Sequence, residues 1–121
     1  MEESNSSIKK FQKELNSGIA SLVLLGVVAN STDPLYGYQI ARQIGAGKKG
    51  GLTMKQGALY PVLRSLEKSS LLESYVEPSV SAPPRRYYRI TPLGLDTFQQ
   101  WKNIWEETRD YVEVTLKGTL A

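Results

Sequence analysis

The chain has 121 residues, enough for about one domain. Its 40% hydrophobic and 22% charged residues are ordinary for a globular fold. It contains neither cysteine nor histidine, which excludes a disulfide framework, a structural zinc site and Ser-His or Cys-His nucleophilic dyads.

The net charge of +3 is unevenly spread. Between Tyr36 and Ile90 there are nine cations against three anions, whereas the flanks carry six against nine. A basic middle between acidic ends implies one face that meets a polyanion and another that meets something else.

The polar start, MEESNSS, is expected to fray. From Ile8 the apolar positions Ile8, Phe11, Leu15, Ile19 and Leu22 recur at helical spacing. After Ile19 the stripe widens until the helix is apolar nearly all round, so its second half should be buried. The run Ile19–Ala29 is far shorter than the roughly 18–20 residues of a membrane span. No secretory signal pattern precedes it. A soluble cytoplasmic protein without a membrane association is the expectation. The helix stops at the turn cluster Asn30-Ser31-Thr32-Asp33-Pro34.

LYGYQIARQI then reads as a short second helix, with Tyr36, Ile40 and Ile44 on one face. It ends at a glycine-rich stretch, Gly45–Gly51, that also holds Lys48 and Lys49. Thr53 stands as an N-cap with Gln56 three residues on, a capping box. The third helix it opens puts Leu59, Val62, Leu63 and Leu66 on its core face. Pro61 sits inside this helix and presses toward the carbonyl of Gly57, where glycine is the mildest neighbour.

LLESYVEP alternates as a strand, PSVSAPP is turn-rich, and RRYYRIT is a second strand with Tyr88 and Ile90 on one side. Together they read as a hairpin. Thr91-Pro92 is a helix start, with Thr at N-cap and Pro at N1. The last helix carries Phe98, Trp101, Trp105, Thr108, Val112 and Thr115 at helical spacing and should fray near Gly118.

Three helices, a two-stranded ribbon and a last helix form the layout of a winged helix-turn-helix. The fold class is therefore mainly α with a small β-hairpin. Residues 1–91 would make the first helix and the DNA-binding region and 92–121 a C-terminal dimerisation helix, all in one compact domain.

In such a fold the third helix can enter the major groove. Its outer stripe carries Thr53, Gly57, Tyr60, Arg64 and Lys68, bordered by Lys55 and Gln56. Gln and Arg suit base edges, whereas Lys and helix N-termini suit phosphates. Pro83-Pro84 stiffen the hairpin and Arg85-Arg86 supply charge for backbone or minor-groove contact. The plainer alternative is a solvated helix face, which explains the cations but less well Tyr60 beside them.

The last helix presents Phe98, Trp101, Trp105 and Val112 as a seam, a large apolar patch for a monomer. A second copy would cover it, through the same helix or through the first, where Phe11 and Leu15 lie. The alternative is that both tryptophans pack within one subunit. A two-fold dimer implies a pseudo-palindromic operator on double-stranded DNA. Other classes stay open: a winged-helix protein-interaction module, or an effector-binding protein without DNA readout, its planar ligand stacked on Trp101 and Trp105. No acid pair at useful spacing points to an enzyme, and no motif points to a cofactor or metal.

LYGYQI, GALYPVLRSLEKSSLLES and RRYYRITPLG, in that order, resemble the PadR family of bacterial and archaeal transcriptional regulators. The likeness spans roughly Leu22 to Trp105, and the single C-terminal helix is similar to the compact subgroup. It implies a homodimeric winged-helix repressor, relieved by a small hydrophobic or phenolic effector. Carried over, the recognition helix falls on Thr53 to Ser69, its tyrosine-proline pair on Tyr60 and Pro61, and the wing on Arg85 to Arg89. Trp105 matches a tryptophan that lines an aromatic pore at the dimer centre in drug-sensing relatives. Two departures stand out: Ser69-Ser70 replaces the usual pair ending in glycine, and Trp101 is an extra aromatic one turn before Trp105.

Overall fold

The computed structural model describes residues 2–45, 56–78 and 81–118. The order is α1 (Glu2–Ala29), β1 (Leu35–Tyr36), α2 (Gly37–Gln43), α3 (Gln56–Lys68), β2 (Leu72–Glu77), β3 (Arg85–Ile90) and α4 (Pro92–Lys117). Thr53, Lys55 and most of the glycine-rich stretch lie outside the described residues, as does the Thr53 half of the expected capping box. Of Gln56 only the backbone is described.

Helix α1 starts at Glu2, earlier than the apolar stripe. The helix thus takes in Glu2 to Ser7 of the polar start. The segment has no proline or glycine, and acidic residues at a helix start favour the dipole. Its second half supplies Ala20, Leu24, Leu25 and Val28 to the core, as the all-round apolar pattern requires. Beyond Ala29, Asn30 and Ser31 donate backbone bonds to Gly26 and Val28, closing the helix.

A correction concerns Leu35 and Tyr36, read from sequence as helical. They form a short edge strand, paired Leu35↔Tyr88 and Tyr36↔Tyr87. The expected β2-β3 hairpin is present, and β1 adds a third antiparallel strand, giving the order β1-β3-β2. Helix α2 starts one residue later, where the Gln39 side chain accepts from the Tyr36 N–H at 3.0 Å. Gly37 is required there: a Cβ would sit 2.5 Å from the Tyr60 hydroxyl oxygen.

Leu59, Leu63 and Leu66 of α3 are buried and Val62 half-buried, the face expected from their spacing. The helix runs through Pro61. It ends with Leu71 N–H bonded to Leu66 O and Ser70 N–H to Glu67 O, a Schellman closure. Ser70 takes the left-handed conformation at φ 64°, so a serine does here what a glycine does more cheaply.

Entry into α4 is tightly specified. The Thr91 hydroxyl accepts from Gly94 N–H at 2.9 Å and donates to Ser70 O at 2.7 Å. Gly94 lies against the Leu71 carbonyl and Ile90, with no room for a Cβ. One turn on, Phe98 is buried against Gly26 of α1. The helix ends at Gly118, left-handed at φ 71°.

Candidate nucleic-acid interface

With its leucines turned inward, α3 presents Gly57, Arg64 and Lys68 to solvent. Among the described residues neither Arg64 nor Lys68 forms an ion pair. Tyr60, expected on the exposed stripe, is half-buried instead. Gly37 leaves space for the hydroxyl end of its ring.

Arg85 and Arg86 do not act as a pair. Successive strand residues point to opposite faces, and the two arginines separate accordingly. Arg86 Nη1 donates to Ser74 Oγ at 2.9 Å, and that hydroxyl donates to Glu67 Oε2 at 2.6 Å. This chain ties the wing to the last turn of α3. Arg85 goes to the other face, where its guanidinium lies 4.5 Å from the centre of the Tyr36 ring. On that face Arg89 Nε donates to Glu73 Oε1 at 2.5 Å.

Beneath Arg86, Tyr88 is fully buried. Burial foremost, and then the Glu67 charge, pushes its hydroxyl above the usual tyrosine range. It stays neutral at physiological pH and anchors the sheet to the core. Tyr36, Arg42, Glu67 and Ser74 were not singled out from sequence. The alternation in RRYYRI already separated Arg85, Tyr87 and Arg89 from Arg86 and Tyr88, but the partners depend on strand register.

Between them, α1 and α4 form an open groove of about 490 Å³, lined by Leu15, Ile19, Leu22, Trp101, Ile104 and Trp105 among others. Trp105 is 39% exposed and Phe11 64% exposed, while Leu15 and Val112 are also exposed. Trp101 packs partly on the core. Phe98, expected on the seam, is buried in the subunit's own core. Ile104, not singled out from sequence, takes a place in the groove wall.

Among the described residues, no cluster of potential ligands could hold a metal and no helix is long and apolar enough to cross a membrane.

The sequence profile of the transcriptional regulator PadR-like family matches residues 24–100. An uncharacterised protein of Lysinibacillus sphaericus is 30% identical over 83 residues, 69% of this chain and 76% of its own length. The crystal structure of a PadR family transcriptional regulator from Eggerthella lenta superposes with a TM-score of 0.81 at 27% identity. That match covers 96% of this chain and 97% of the other. A PadR-like transcriptional regulator from Bacillus cereus gives 0.69 at 27% identity, over 85% and 96% of the two chains.

Proposed function

Because the chain belongs to the transcriptional regulator PadR-like family, whose members are regulators and not enzymes, we propose that it is a homodimeric repressor of a pseudo-palindromic operator. Helix α3 lies in the major groove, with Arg64 at base edges and Lys68 near phosphates, and Arg85 of the wing reaches the flanking backbone. The observation that carries this reading is the exposed stripe of α3, whose two cations have no ion-pair partner among the described residues. Free cations on a helix that otherwise buries leucines suit counterion release from DNA.

The bare apolar residues of α1 and α4 support the dimer. Ile8, Phe11 and Leu15 of α1 and Ile104, Trp105 and Val112 of α4 are exposed in the single chain. Lys9, Lys10 and Lys13 outnumber Glu14 along the first set, and Glu106, Glu107, Asp110 and Glu113 outnumber Arg109 along the second. The first helix of one copy laid against the last helix of another would cover apolar surface and match charge. A small apolar or phenolic effector would occupy the groove beside Trp101 and Trp105, stacking on the indoles.

The test uses an operator recovered by selecting random duplexes on the purified protein. Arg64→Ala should weaken binding to it by about 1–3 kcal/mol and relax preference at one position in each half-site. Unchanged affinity and preference would remove α3 from the readout. In the same preparation, Trp105→Glu should sediment as a monomer at concentrations where the parent is dimeric. A parent that sediments as a monomer would refute the dimer.

A further inference from the structure

Outside α3 and the groove, α2 and the edge of the sheet hold a row in which two stacked tyrosines lie between two arginines. The Arg42 guanidinium lies 5.9 Å from the centre of the Tyr38 ring. Tyr38 and Tyr36 stack with centres 6.4 Å apart and planes 18° from parallel. Arg85 lies over Tyr36 at 4.5 Å. The row therefore runs from α2, through β1, to the wing. It is buttressed from the next strand, where Tyr87 meets Tyr36 edge to face at 5.5 Å and itself stacks on Tyr75 at 5.7 Å.

The charges along this face are not equivalent. Arg89, over Tyr75 at the far end, is neutralised by Glu73. Arg42 and Arg85 are exposed, and among the described residues neither forms an ion pair. A guanidinium lying over an aromatic ring loses much of its rotamer freedom in advance while keeping N–H donors available, which suits a phosphate. The stack is also fixed next to α3, since Gly37 adjoins Tyr36 in the chain and lies against the Tyr60 hydroxyl.

We propose that Arg42, Tyr38, Tyr36 and Arg85 form a sequence-independent site for the DNA phosphate backbone, in which two tyrosines hold two arginines ready on either side of the edge strand. The proposal rests on the DNA-binding reading and adds Arg42 as a contact residue and Tyr36 and Tyr38 as positioning residues.

A fluorescently labelled mixed-sequence duplex, titrated by anisotropy over a salt series, tests it. Arg42→Gln and Arg85→Gln should each weaken binding several-fold and lower the logarithmic salt slope by about one. Tyr38→Leu alters no charge and changes an exposed position. It should weaken binding about two- to fivefold, the size of an exposed cation–π contact, and should do nothing further in the Arg42→Gln background. Tyr36→Phe keeps the ring and should bind as the parent does. Arginine variants with the parent's affinity and slope would overturn the site while leaving the DNA reading intact. Equal effects of Tyr38→Leu with and without Arg42 would overturn the positioning role. A parent that binds no duplex at low salt would refute the DNA reading and the site together.

Discussion

The first and last turns of α4 are one helix with opposite surroundings. From Thr91 to Phe98 each contact is specific: a hydroxyl that caps the helix and bonds back to Ser70, a glycine against a carbonyl, a phenyl ring against Gly26. From Ile104 onward every described residue is exposed, including Ile104 at 60%, Tyr111 at 65% and Leu116 at 76%. The first half is held by packing. The second is held by local rules, with a Lys117–Glu113 pair one turn apart at 3.8 Å and the Gly118 cap. Such local terms are each worth about 0.3–0.5 kcal/mol for a surface pair, and the apolar residues of the outer half add little burial within the subunit.

Substitutions can break this contrast, the largest effect coming at the tight end. Gly94→Ala forces a Cβ into the Leu71 carbonyl and should destabilise the fold by about 4 kcal/mol or more. A urea midpoint equal to that of the parent would refute the close approach. Phe98→Ala should cost about 3–5 kcal/mol in the same titration. Trp105→Ala, on the same helix, should instead raise the dimer dissociation constant measured by sedimentation equilibrium. If the two changes behaved alike, α4 would not divide as described. Thr91→Ala removes a cap and a bond to Ser70 O, for an expected loss of about 1–2 kcal/mol. A loss confined to a few tenths would mean that Pro92 alone sets the helix start.

Much of the architecture was readable because it rests on near neighbours. The leucines of α3 recur at the helical period, and Thr91-Pro92 marks a start that the observed cap bond matches. The likeness in LYGYQI, GALYPVLRSLEKSSLLES and RRYYRITPLG led to the family that the comparisons show. Leu35-Tyr36 was misread because two residues carry no periodicity, and their strand partners, Tyr88 and Tyr87, lie far down the chain. Tyr60 was read as exposed because a helical wheel shows what a helix turns outward but not what leans over it. Gly37 leaves the niche that the hydroxyl end of its ring fills.

The candidate interface divides in the same way. Arg64 and Lys68 were legible from spacing and are exposed. The different fates of Arg85 and Arg86 were not, although alternation had set them on opposite faces. Strand register alone brings Ser74 and Glu67 to one and Tyr36 to the other.

Periodicity, capping residues and the distribution of charge are properties of adjacent residues, so the primary structure alone determined the helices, the wing and the basic middle. Which aromatic residue enters the core, which hydroxyl links α3 to the wing, and which rings carry the arginines were decided only on folding. Those choices depend on distances between residues remote in the chain, and packing in three dimensions sets them.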